Sequence, residues 1–166
     1  PYNDRPVPRY RSHAITEDLA EGKLVTVLAH IAPLVSPVEA PAWLRHEPLL
    51  QTARSGWIER GGAMEGGTAL YQPEIDGEGP GIMSLAVQVL PNEEGPVSPG
   101  RPVARAVVVG DSEMATNQLL AEGPGNASFL VNAFRWLLGD EARLSVVGRP
   151  TTVRRLALTA EDRGVI

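Results

Sequence analysis

The sequence predicts an α/β fold with a mostly parallel sheet flanked by helices, and three observations carry that expectation. The run Ala106 to Val109 is apolar at consecutive positions and stops abruptly at Gly110-Asp111, which suits a strand covered on both faces. A strong helical pattern over 127–138 follows it. Other apolar runs of strand length are separated by segments rich in Gly and Pro. In folds of this class ligands and catalytic groups collect beyond the carboxyl ends of the strands, so Asp111 and Ser112 are the first candidates for a site.

Length and composition bound the answer. At 166 residues the chain reads as a single domain over 1–166, long enough to bury a core, with 43% hydrophobic residues. It begins at Pro1 without a methionine, which reads as a fragment of a longer protein. No run approaches the roughly 20 apolar residues that span a bilayer. A formal charge of −5 and scattered arginines leave no basic stripe for a phosphate backbone, so nucleic acid is not an expected partner. The absence of cysteine excludes a disulfide framework, a thiolate nucleophile and cysteine-based zinc sites.

In chain order, residues 1–12 are polar and rich in Pro and Arg, an extended lead-in. Thr16 is placed to N-cap a short helical turn that Gly22 ends. Lys23 to Ala29 reads as a strand, and Pro33, Pro37 and Pro41 make the following segment a loop. Residues 47–53 read as a strand entered through Pro48. Residues 55–80 form a long Gly-rich loop whose apolar anchors are Trp57-Ile58 and Ala69-Leu70-Tyr71.

Residues 82–90 are a strand, and 91–102 a loop or hairpin connection into the central strand. A short helix over 115–121 is broken by Gly123-Pro124-Gly125. Asn126 is placed to N-cap the long helix, with Phe129, Leu130, Ala133, Phe134, Leu137 and Leu138 on its apolar face and Ser128, Asn132 and Arg135 opposite. Gly139 caps its end. Two last strands are expected at 143–147 and 154–159.

The chemistry at Gly110-Asp111-Ser112 invites a serine-hydrolase reading, because Gly-Asp-Ser-Leu enzymes place a nucleophilic serine after such a strand. A serine needs a base within reach. His13, His30 and His46 all precede the strand, the Asp-x-x-His arrangement near the C-terminus is missing, and Glu113 replaces the leucine. A phosphate-accepting aspartate would want a lysine nearby, and Lys23 is the one lysine in the sequence. The histidines, 17 and 16 residues apart, form no metal-ligand spacing. No metal and no cofactor are expected, and Asp111 and Ser112 read more naturally as helix-capping or loop-positioning residues.

Val107 to Asn117, with Gly110-Asp111-Ser112-Glu113-Met114, then Asn126, then Phe129 to Glu141 with Asn132 and Trp136-Leu137-Leu138, resembles the extracytoplasmic domain of the GldG-like family, auxiliary components of gliding-motility-type ABC transporters. His13-Ala14-Ile15-Thr16 resembles the family's His-Pro-Ile-Thr, with Ala14 for the proline. Leu49-Leu50-Gln51-Thr52-Ala53 and Trp57 resemble two further family segments. Glu113 and Met114 depart mildly from the family's aspartate and phenylalanine. The resemblance spans about Tyr10 to Arg149, and the 105–141 block is its specific part.

The resemblance implies a three-layer sandwich like the class I glutamine amidotransferases, flavodoxin-like or Rossmann-like in layout, without their catalytic cysteine and incomplete at the N-terminus here. It implies a non-enzymatic accessory domain on the extracytoplasmic face of the cytoplasmic membrane. A membrane helix would follow the final strand, outside this chain. The expected partners are ABC permease and ATPase subunits, with homo-oligomerisation open. The binding surface would be the strand edge at Asp111, Ser112, Glu113 and Asn117. Catalysis by Ser112 is the alternative.

Overall fold

The computed structural model of the protein describes residues 6–36, 39–62, 64–65, 68–92 and 94–140. The strands expected at 143–147 and 154–159 fall outside the described residues. In chain order the elements are β1 (Arg9–Tyr10), α1 (Glu17–Glu21), β2 (Leu44–Gln51), β3 (Trp57–Ile58), β4 (Met64–Glu65), β5 (Thr68–Ala69), β6 (Gly77–Glu78), β7 (Ile82–Val89), β8 (Ala104–Val109), α2 (Asn117–Glu122) and α3 (Pro124–Leu137).

The main sheet is antiparallel throughout, in the order β1-β2-β7-β8. This overturns the expected mostly parallel, three-layer sandwich of the glutamine amidotransferase kind. The error lies in the reading of β8. Its residues do not share one environment: Arg105, Val107 and Val109 are half-buried while Ala104, Ala106 and Val108 are exposed, so the strand alternates as a singly covered strand does. β8 is also the last strand of the sheet order, where a central position was expected.

The continuously buried stretch sits instead on β7, at Met83, Ser84, Leu85 and Ala86. β7 pairs with β2 on one side and β8 on the other, from Ser84↔Val109 to Val89↔Ala104 on the β8 side. The Gly- and Pro-rich segment after β7 is thus a hairpin connection, as its composition indicates. Such a link can reverse the chain but is too poor in helix formers to make the helical crossover a parallel pair usually needs.

The core joins Ile15 and Leu19 from the α1 region, Leu49, Leu50, Met83 and Ala86 from the sheet, and Phe129, Ala133 and Trp136 from α3. Val107 and Val109 pack against it. α3 presents a different face from the one its sequence predicts. Phe129, Asn132, Ala133 and Trp136 are buried, while Phe134 is 65% and Leu138 82% exposed. The helix starts at Pro124, before Asn126, so Asn126 lies inside its first turn and Gly123 is the capping residue. Its buried Asn132 is satisfied by donating its side-chain N–H to the Ile15 carbonyl at 3.0 Å.

The expected strand Lys23 to Ala29 is not in any sheet. Both flanks, Lys23 at φ 50° and His30 at φ 52°, are in the left-handed region, which breaks the run of extended backbone at each end. The segment between is buried at Thr26, Leu28 and Ala29. Its polar backbone groups must therefore be satisfied, and side chains satisfy several of them.

The 55–80 segment is more ordered than a plain loop. It folds into two short ribbons, β3 with β6 and β4 with β5. Trp57 and Tyr71 do meet, with ring centroids 5.8 Å apart. The sequence missed the main fastening, Asp76, whose buried carboxylate accepts the N–H groups of Gln72 and Arg60 at 2.7 and 2.8 Å and of Gly61 at 3.4 Å. Those backbone donors, Gln72 first, hold the Asp76 carboxyl below the usual carboxylate range.

Candidate functional site

Beyond the end of β8 the chain turns at Gly110 and enters Asp111, Ser112 and Glu113 before α2. Gly110 is a point of close approach: its carbonyl accepts the Ala32 N–H at 2.8 Å, and a Cβ there would run into the Ala32 carbonyl oxygen. Residues 29–32 therefore cross directly over the end of the strand. This brings His30 to the expected site, although it lies far upstream in sequence.

Asp111 is buried, and its carboxylate is fully engaged with backbone. One oxygen accepts the Ala29 N–H at 2.7 Å and the other the Glu113 N–H at 2.6 Å. The second bond closes an Asx-type turn that launches the chain toward α2; the first anchors the 24–29 segment. Of the two bland roles expected for Asp111, loop positioning is the one the geometry fulfils. The N-cap of α2 is Thr116, which accepts the Leu119 N–H at 3.4 Å.

Asn126 completes the anchorage. Its side-chain oxygen accepts the Val27 N–H at 2.8 Å, and its side-chain nitrogen donates to the Val27 carbonyl at 2.8 Å and to the Met114 carbonyl at 3.2 Å. One primary amide thus gives Val27 the two-point pairing that a neighbouring strand residue would give. Gly125 adds a backbone bond from its N–H to the Val25 carbonyl at 2.8 Å, and a Cβ at Gly125 would meet that same carbonyl at 2.8 Å. Tyr10 pins the other side of the segment, donating to the Leu24 carbonyl at 2.6 Å and lying 2.7 Å from the Thr26 hydroxyl. Burial pushes the Tyr10 hydroxyl's pKa up, against the opposing pull of Thr26.

Of the four expected site residues, Ser112, Glu113 and Asn117 are exposed and Asp111 is buried. Glu113 is brought to His30, with its carboxylate 3.4 Å from the imidazole Nδ1. Both side chains are well exposed, so the pair is worth little to stability. Among the described residues Ser112 has no hydrogen-bond partner, and no base is bonded to its hydroxyl. Asn117 opens α2 on the solvent side. Among the described residues no group of three His, Asp or Glu side chains is arranged to hold a metal ion, and no helix is long and apolar enough to cross a membrane.

Sequence reasoning missed the clamp made by Asn126, Gly125 and Tyr10, and it missed the pairing of His30 with Glu113. The signal for the clamp was present in Gly123-Pro124-Gly125-Asn126, where glycines flank a proline next to an amide side chain. Comparison of the chain with protein-family models, with curated proteins and with solved structures yields no match.

Proposed function

We propose that this chain is a non-enzymatic binding domain, the extracytoplasmic accessory part of an ABC transport system, and that it meets its transporter partner or ligand through the exposed strand-end surface of Ser112, Glu113 and Asn117 with His30. The observation that carries the non-enzymatic reading is the commitment of Asp111 to the Ala29 and Glu113 amides. The one acid delivered by β8 is spent on backbone, and among the described residues no base is bonded to the serine beside it. What remains is an accessible, polar surface on an anchored turn. The transport context rests on the resemblance of the 105–141 block. Co-purification of the full-length protein with the permease and ATPase encoded beside it tests the proposal. Glu113→Lys is expected to weaken the association, and repeated failure of the wild type to co-purify in mild detergent counts against it.

The serine-hydrolase alternative has one observation in its favour, the His30 imidazole with a carboxylate on its Nδ1 side. That is the orientation in which an acid supports a catalytic base. A panel of ester substrates turned over equally, or not at all, by wild type and Ser112→Ala removes it.

A further inference from the structure

A concave surface lies in the 54–80 region and shares no residue with the strand-end surface. It is a cleft of about 340 Å³ lined by Arg54, Ser55, Gly56, Trp57, Tyr71 and Gly79. Trp57 and Tyr71 are 38% and 42% exposed, an unusual state for two adjacent large rings in a chain with only 5% aromatic residues. They are inclined at 59°, so they form one bent apolar platform, not the parallel jaws that would sandwich a flat ring. Arg54 is exposed, and among the described residues it has no ion-pair or hydrogen-bond partner; the same holds for the hydroxyls of Ser55 and Tyr71. Glu59, the nearest acid in the sequence, borders the platform at Trp57, whose indole N–H it accepts at 3.4 Å while its other oxygen accepts the Gly62 N–H at 2.7 Å, and it makes no ion pair with Arg54 among the described residues.

We propose that this cleft is a binding site for a small acidic saccharide, a uronic acid unit or the uronate end of an oligosaccharide. Each part of the ligand has a counterpart. The guanidinium meets the carboxylate in the planar, bidentate manner that arginine favours. The bent aromatic platform meets the C–H faces of a puckered ring. The hydroxyls of Ser55 and Tyr71, without a partner among the described residues, meet sugar hydroxyls. The volume is at the lower end for ligand pockets, which suits one or two sugar units and is too small for a long peptide. The Asp76 fastening keeps the two walls of the segment together before any ligand arrives.

Nuclear magnetic resonance titration of the full chain with a glucuronate-containing disaccharide, in the millimolar range, tests this. The indole signal of Trp57 and the amides of Arg54, Ser55 and Tyr71 are expected to shift, while the indole of the buried Trp136 stays still. The methyl ester of the same disaccharide is expected to bind about tenfold more weakly, as is the acid to Arg54→Gln, since each removes a charge-assisted contact. Arg54 is exposed, so Arg54→Gln is expected to fold as the wild type does. No shift at Trp57, or equal binding of acid and ester, overturns the proposal. Tighter binding of benzoate, or of an acidic proline-rich peptide, overturns the saccharide assignment.

Discussion

The Asp111 carboxylate accepts the Ala29 N–H at 2.7 Å across 82 residues of chain while its other oxygen holds the Glu113 N–H. It is thus a structural link between the N-terminal third of the protein and the end of β8. Asp111→Ala leaves two buried or half-buried amides without an acceptor and is expected to lower the unfolding free energy by about 3 kcal/mol. Asp111→Asn keeps one acceptor and should lose roughly half of that. Ser112→Ala next to it should stay within about 0.5 kcal/mol of wild type. Urea titrations of the three variants check the ranking, and an equal response of Asp111→Ala and Ser112→Ala contradicts the link.

Asn126 makes a more specific demand, because it both donates and accepts. Asn126→Ala is expected to cost on the order of 3 kcal/mol through three lost bonds, two of them to Val27. Asn126→Asp preserves the acceptor for the Val27 N–H but turns a second oxygen toward the Val27 and Met114 carbonyls. Its carboxyl should therefore have a raised pKa when folded. A group with a raised folded pKa favours the folded state below that value and loses the contribution as pH rises through it. Asn126→Asp should accordingly be more stable at pH 4 than at pH 7 relative to wild type, and thermal melts at the two values reveal it.

The rotated face of α3 makes a contrast that point substitution can read. Phe129 is fully buried in the core, and Phe129→Ala is expected to cost about 3–5 kcal/mol. Phe134→Ser and Leu138→Ser, at 65% and 82% exposure, should each change stability by less than about 1 kcal/mol. If Phe134→Ser proved as damaging as Phe129→Ala in chemical denaturation, the face assigned to the helix would be wrong.

Acid should loosen the 55–80 segment before it unfolds the sheet. The Asp76 carboxyl is held below its ordinary 3.8 by the Gln72 N–H first, and then by the Arg60 N–H. A depressed folded pKa contributes stability above the unfolded value, and that contribution disappears as pH falls through the folded one. The amides of Gln72, Arg60 and Gly61 should therefore change their shifts below about pH 4. Asp76→Asn should show a loosened segment already at neutral pH. An acid titration of wild type and variant followed at these amides distinguishes the two behaviours.

Much of the chain's order could be read from local signals. The strand at 82–90, the turn before Gly22 and the two helices after β8 fall within a few residues of where propensity puts them, although the long helix is capped by Gly123 and not by the expected Asn126. The direction of the sheet did not follow from the same signals. Ala106 to Val109 is uniformly apolar whether its outward residues meet a helix layer or the open, because alanine and valine tolerate exposure. Only the antiparallel register with β7 decides between the two.

The residues of the expected site were half legible. Glycine followed by aspartate correctly marked the turn after β8. What it could not show was that the acid's partner would be the amide of Ala29, or that Asn126 would serve Val27, because both bonds join distant parts of the chain. The helix face was misread because Asn132 looked solvent-facing by polarity. A buried asparagine is allowed once a carbonyl such as that of Ile15 receives its N–H.

Val27 and Ala29 have amides held by side chains and not by a β-ladder. Their hydrogen-exchange rates should therefore follow the integrity of two residues, Asn126 and Asp111, instead of the opening of the whole sheet. The 24–29 segment is in effect a latch. Because the pairing of β2, β7 and β8 does not run through it, opening of this segment should uncover Leu28 and the adjoining part of the core without global unfolding.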